Sequence, residues 1–165
     1  MRSARSVGRL IAEELFDLGV TASCLPVLDA PQMGAHDVIG NRAYDTRPER
    51  IMALARSHMA GLLDGGILPV MKHIPGHGRA MVDSHHDLPI VKASRLDLES
   101  HDFVPFTGLA DCAMAMTAHV VYSAIDPEQP STLSRKVVRN VIRKVIGFNG
   151  LLITDDLSMK ALNGT

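Results

Sequence analysis

Four short apolar runs, each followed by a polar segment and then by residues at helical spacing, constrain this chain more than any other feature. They are Ala22 to Leu28, Ile67 to Met71, Cys112 to Thr117 and Leu151 to Thr154. They recur at intervals of about 35 to 45 residues, long enough for a helical crossover but not for a simple hairpin. A helix between two strands returns the chain to the same end of the sheet, so the four strands must run parallel. Their near-continuous apolar character fits strands covered on both faces.

The intervening segments read as helices. Val7, Leu10, Ile11, Leu15 and Leu18 share a face at helical spacing, with Gly19 as a stop. A second helix opens at Pro48, a residue suited to a first turn, and carries Ile51, Ala55, Met59, Leu62 and Leu63 up to Gly65-Gly66. Ser94 with Asp97 reads as a capping box opening a third, with Phe103 and Phe106 near its end. Ser134 caps a fourth, with Val137, Val138, Val141, Ile142 and Val145 on its apolar side. Two architectures accommodate this order: an open doubly wound sheet, or a section of a (β/α)8 barrel. No glycine-rich G-x-G-x-x-G turn follows any strand, which leaves a nucleotide-binding sheet little support.

Composition narrows the function classes. The 165 residues carry a net charge of -1 without a block of like charges, so neither a nucleic-acid nor an anionic-membrane surface is expected. The basic start reaches Glu13 and Glu14 before any long apolar stretch, so no secretory signal or membrane span is read, and the expected location is cytoplasmic. Cys24 and Cys112 lie in apolar runs without metal-type spacing and read as small buried residues in a reducing compartment.

The polar segments after the strands hold the chemistry. Four of the 8 histidines lie between Lys72 and Asp87: His73 and His77, then His85 and His86. Asp83 and His85 are two apart, so an extended backbone points both to one side, where a carboxylate orients an imidazole and favours its protonated form. That pair is a candidate general acid/base, or else a loop salt bridge. A zinc site built from His73, His77, His85 and Asp87 is an alternative, although Pro75 and Gly76 preclude a ligand-bearing helix between His73 and His77. Asp155 and Asp156 follow the last apolar run directly; one can cap a helix while the other faces a site as a nucleophile. Arg42, in the loop His36 to Tyr44, could fork onto hydroxyls or a carboxylate.

Taken together, PVLD (Pro26 to Asp29), HDVIGNRAY (His36 to Tyr44), KHIPGHG (Lys72 to Gly78), DSHHDLP (Asp83 to Pro89), MTAHVVY (Met116 to Tyr122) and ITDDLSM (Ile153 to Met159) resemble the β-N-acetylhexosaminidases of glycoside hydrolase family 3, bacterial enzymes of peptidoglycan recycling. The resemblance covers residues 1–165 as one partial catalytic domain. It implies a (β/α)8 TIM barrel, incomplete here, with four strand–helix units corresponding to strands 4–7. It also implies a retaining, cofactor-free glycosidase that removes terminal N-acetyl-β-D-glucosamine from muropeptides or chitooligosaccharides. Position by position, Asp155 matches the nucleophile and His85 the general acid/base, assisted by Asp83. Arg42, Lys72 and His73 match residues that bind the sugar, and His119 is a further site-lining candidate.

A barrel of this type needs about 250 residues, so the resemblance further implies that strands 1–3 and 8 lie outside these 165. A section of this kind exposes two strand edges and is expected to be poorly stable and inactive alone. Besides the glycosidase, the residues leave open a phosphorylase with the same nucleophile, a zinc-dependent hydrolase, and a non-catalytic remnant that at most binds sugar.

Overall fold

The computed structural model describes residues 2–84 and 86–162. Strand β1 (Ala22–Ser23), strand β2 (Leu68–Ile74), strand β4 (Met114–Thr117) and strand β6 (Leu151–Ile153) form one sheet in the order β1-β2-β4-β6, and every pairing is parallel. A separate parallel pair, β3 (Ile90–Val91) with β5 (Val121–Tyr122), lies in the segments beyond β2 and β4 and was not legible as strand. Helix α1 (Arg2–Asp17) precedes β1, and α2 (Pro48–Asp64) links β1 to β2.

The first apolar run is strand for only two residues, because Pro26 has no N–H to give to a ladder. Pairing continues irregularly past it: Val70 N–H donates to the Leu25 carbonyl, Lys72 N–H to that of Pro26, and Leu28 N–H to that of Lys72. β2 runs three residues further than its apolar character implies, so Lys72 and His73 are strand residues rather than loop. Its register against β4 shifts between Lys72 and Ile74.

Both remaining crossovers are capped as expected and wound differently. Ser94 Oγ accepts from Asp97 N–H at 3.1 Å, the cap read from the sequence, and the return bond is made by the Ser94 hydroxyl donating to Asp97 Oδ2 at 2.6 Å. The helix then passes from α3 (Arg95–Asp97) through a π-helical turn (Leu98–Asp102) to α4 (Val104–Gly108), with Pro105 in its first turn. Ser134 caps through Val137 N–H, and Val137–Arg143 is π-helical.

The main core lies between the helices and the sheet. It includes Ile51, Ala55 and Met59 of α2, Met71 and Ile74 of β2, Phe103, Phe106, Ala115, Val141, Ile142 and Phe148. α1 departs from the expected pattern. Ile11 and Leu15 are partly buried, whereas Val7, Leu10 and Leu18 are exposed; the residues α1 buries are Gly8 and Ala12. Leu63 of α2 is likewise exposed, while His58 and Gly61 are buried. The reason is a seam of small residues. A Cβ on Gly61 would run into the Arg5 carbonyl oxygen, one on Gly8 into that of His58, and one on Gly65 into the Ala12 methyl. The two backbones approach so closely that the larger side chains are displaced to the flanks.

β1 and β6 each have one neighbour among the described strands, so the sheet has two open edges. Cys24 follows β1 on one of them and is exposed, unlike Cys112, which is buried as expected. No helix among the described residues is long and apolar enough to cross a membrane.

Gly61→Ala is expected to lower unfolding free energy by about 1–3 kcal/mol, since the backbone atoms it meets cannot rotate away. Urea unfolding checks this, with the exposed Ser6→Ala as the control expected to stay within about 0.5 kcal/mol.

Candidate active site

All four strands of the sheet point their carboxyl ends the same way, and the polar segments that follow three of them enclose one small cavity. Val38, Ile39 and Arg42 come from the segment after β1, Lys72, His73, His77 and Ser84 from β2 and the segment beyond it, and Asp155 from the end of β6. Thus Arg42, Lys72, His73 and Asp155, far apart in sequence, share one wall-to-wall space. This is the end of a parallel α/β sheet where sites are built.

Each side chain is held locally. Arg42 closes a 3-10 turn (Gly40–Arg42) and donates to two carbonyls of its own loop, Val38 at 2.7 Å and Ile39 at 3.3 Å. Tyr44 pins this loop to α2: its hydroxyl lies 2.8 Å from His58 Nδ1. Burial pushes the Tyr44 phenol up to about 12, so it stays protonated. The turn after β2 is braced from behind. The Tyr122 hydroxyl donates to the Gly76 carbonyl, and Arg79 donates to the buried carboxylate of Asp102 at 2.7 Å.

Asp155 and Asp156 divide the roles that the sequence offered them. Asp156 Oδ1 accepts from Ser158 N–H at 2.8 Å and its hydroxyl at 2.7 Å, so this carboxylate shapes the turn. Asp155 Oδ2 faces His73 Nε2 at 3.8 Å and lines the cavity. His119 is buried behind the turn rather than on the cavity wall; its Nε2 donates to the Asp156 carbonyl at 3.0 Å, and its Nδ1 lies 2.7 Å from Thr132 Oγ1.

His85 lies outside the described residues. Of the residues on either side of it, Ser84 lines the cavity, the Asp83 carbonyl accepts from His86 and Asp87 N–H, and the Ser84 carbonyl accepts from Ala161 N–H. The stretch around Asp83 is therefore tied at one side to the cavity and at the other to the segment beyond Asp155. Among the described residues, no group of three or more His, Cys, Asp or Glu side chains is arranged to hold a metal ion.

Two residues of the site were not singled out from the sequence. Asp29 is fully buried; its Oδ2 sits 2.6 Å from His73 Nδ1, and its Oδ1 accepts from His77 N–H at 2.6 Å and His73 N–H at 3.4 Å. Burial raises its pKa, but the His73 ring and the His77 N–H outweigh this and hold the carboxyl below its usual value, so it is ionised. The available signal was a lone carboxylate ending an otherwise apolar strand, which burial would strand unless it had partners. His77 was weighed only as a metal ligand. It is buried, with Nε2 3.2 Å from Ser84 Oγ and Nδ1 lacking a partner, and burial holds it below the usual histidine value against the pull of Asp29.

The whole chain matches the model of the glycosyl hydrolase family 3 N-terminal domain over residues 1–165. The chain belongs to glycosyl hydrolase family 3. A β-hexosaminidase of Alkalilimnicola ehrlichii is 44% identical over 160 residues, which cover 96% of this chain and 45% of that relative. The β-N-acetylglucosaminidase from Paenibacillus sp. superposes with a TM-score of 0.92 at 34% identity over 97% of this chain and 31% of its own. NagZ from Neisseria gonorrhoeae, solved with N-trifluoroacetyl-D-glucosamine, gives 0.87 at 39% identity, with 94% and 46% covered. The chain thus spans less than half the length of these relatives, and its parallel sheet is an incomplete (β/α)8 barrel.

Two of the buried histidines, His58 and His77, set a pH dependence. Burial depresses both His58 and His77 below the ordinary value of 6.5. The unfolded chain then binds protons that the folded one refuses, so stability falls as pH drops below 6.5 toward the depressed values. Urea midpoints are therefore expected to be lower at about pH 5 than at about pH 7.5, and His58→Gln, which keeps a partner for Tyr44, should shrink that difference. The comparison cancels contributions common to both proteins, including Asp102, whose carboxyl is pushed up by burial.

Proposed function

We propose that this chain carries the nucleophile and sugar-binding side of a retaining β-N-acetylglucosaminidase, acting on terminal N-acetyl-β-D-glucosamine of peptidoglycan fragments. The observation that carries the reading is the position of Asp155: a partly exposed carboxylate at the carboxyl end of a barrel strand, sharing a cavity with Arg42, Lys72 and His73. The relatives named β-hexosaminidase and β-N-acetylglucosaminidase support the same substrate class.

In this reading Asp155 attacks the anomeric carbon as the bond to the leaving oxygen breaks, and His85 gives that oxygen its proton. Water then loses a proton to His85, attacks the same carbon and releases the sugar from Asp155. Two displacements restore the starting configuration. Asp83 orients His85 and stabilises its charged form. Arg42 and Lys72 supply donors to the sugar hydroxyls and positive charge beside Asp155. Neither displacement in this reading calls on a metal or organic cofactor, and the reading puts the enzyme in the cytoplasm, where it would receive cell-wall fragments.

The test is hydrolysis of 4-nitrophenyl N-acetyl-β-D-glucosaminide by this chain extended to full barrel length. Asp155→Ala is expected to cut kcat by at least about 1,000-fold, and proton NMR should find the β-anomer of the released sugar first. Wild-type turnover in Asp155→Ala, or an α-anomer formed first, would overturn the mechanism. Arg42→Lys, which keeps the charge but loses the planar fork, should raise KM by about 10-fold with a smaller change in kcat, as steady-state kinetics would read.

A further inference from the structure

We propose that Asp29 is a positioning residue for this reaction: it fixes which nitrogen of His73 carries the proton and so presents His73 Nε2 to Asp155. This rests on the reading of Asp155 as nucleophile.

An ionised carboxylate offers acceptors and no donor. Asp29 is 0% exposed and can only accept, so every neighbour within hydrogen-bond reach must donate to it. Oδ1 takes the backbone N–H of His77, with that of His73 further off, and these donors cannot change. Oδ2 takes His73 Nδ1 at 2.6 Å, a short contact that only a donated proton can bridge. The Nδ1 proton is therefore obligatory, and the tautomer with its proton on Nε2 alone is excluded. The ring cannot turn over without breaking that bond, because the side chain is buried and packs edge-on against His77 at 5.8 Å between centroids. Nε2 is left facing Asp155 Oδ2 at 3.8 Å, on the cavity side.

Three chain segments meet in this carboxylate–imidazole–carboxylate line: the run after β1, the end of β2 and the end of β6. Asp29 never reaches the cavity, whose lining it does not join. Its effect on chemistry passes through His73. Loss of an orienting carboxylate behind an imidazole lets the ring take the wrong tautomer, with a large loss of turnover even where the fold is intact.

Asp29→Asn tests this. The amide oxygen can keep the His77 N–H, which turns the amide NH2 toward His73 Nδ1 and forces the ring proton to Nε2. Nitrogen-15 NMR on labelled histidine in the full-length protein reads the proton position directly, with no turnover needed. Wild type is expected to show a protonated Nδ1, and Asp29→Asn an Nε2-only tautomer. On the 4-nitrophenyl glycoside, kcat should fall on the order of 100-fold with KM changed less than about threefold. A wild-type Nδ1 without a proton, or an Asp29→Asn protein whose kcat stays within about threefold of wild type, overturns the proposal. The wild-type spectrum decides even if the variant does not fold. If Asp155→Ala retains turnover, the glycosidase reading falls instead, and the proton position alone judges Asp29.

Discussion

Parallel pairing along β2 is the constraint from which the rest of this structure follows. β2 is bonded on one side to the irregular run 22–28 and on the other to β4, which passes the register on to β6. Because all these ladders run the same way, residues that end their strands arrive at one edge regardless of their distance in sequence. Asp29, His73 and Asp155 come together for that reason alone. The helices need only return the chain, and they do so with α, π and proline-interrupted turns without disturbing the edge.

Much of this was legible in the sequence. The four strands of the main sheet, their direction and their order along the chain follow from apolar runs separated by helical spacing, whereas the short β3–β5 pair does not, and the caps at Ser94 and Ser134 were readable from single residues. The sequence offered one of Asp155 and Asp156 to a cap and the other to a site without allotting them; the structure gives the turn to Asp156 and the cavity to Asp155. What stayed hidden depends on distance through space. The face α1 buries was misread because hydrophobic periodicity assumes that large apolar residues seek the core, whereas here Gly8, Ala12, Gly61 and Gly65 let two backbones touch. Cys24 reads as buried from its apolar neighbours, but it follows an edge strand, where one side has no neighbour.

Asp29 shows the same limit at the site. Nothing local distinguishes it from a strand-ending aspartate that turns to solvent; its partners are 44 and 48 residues away. A buried ionised carboxylate is tolerable only when its partners are in place, so the pairing of the first run with β2 and the assembly of the cavity are one event. Tyr44 and His58 do the equivalent for the Arg42 loop, tying it to α2 rather than to the sheet.

The two open edges carry a consequence for cooperativity. In a closed ring of strands every member has two neighbours, and opening any one seam leaves the others connected the long way round. The four described strands in a row have three seams, and the middle one, between β2 and β4, is supported further along only by the β3–β5 pair. That seam lies in the very strand whose end holds Lys72 and His73, with Asp155 on the far side of it. Within these four strands, the hydrogen bonds that join β2 to β4 and β4 to β6 also hold Asp155 beside His73, so loosening the middle seam loosens the site.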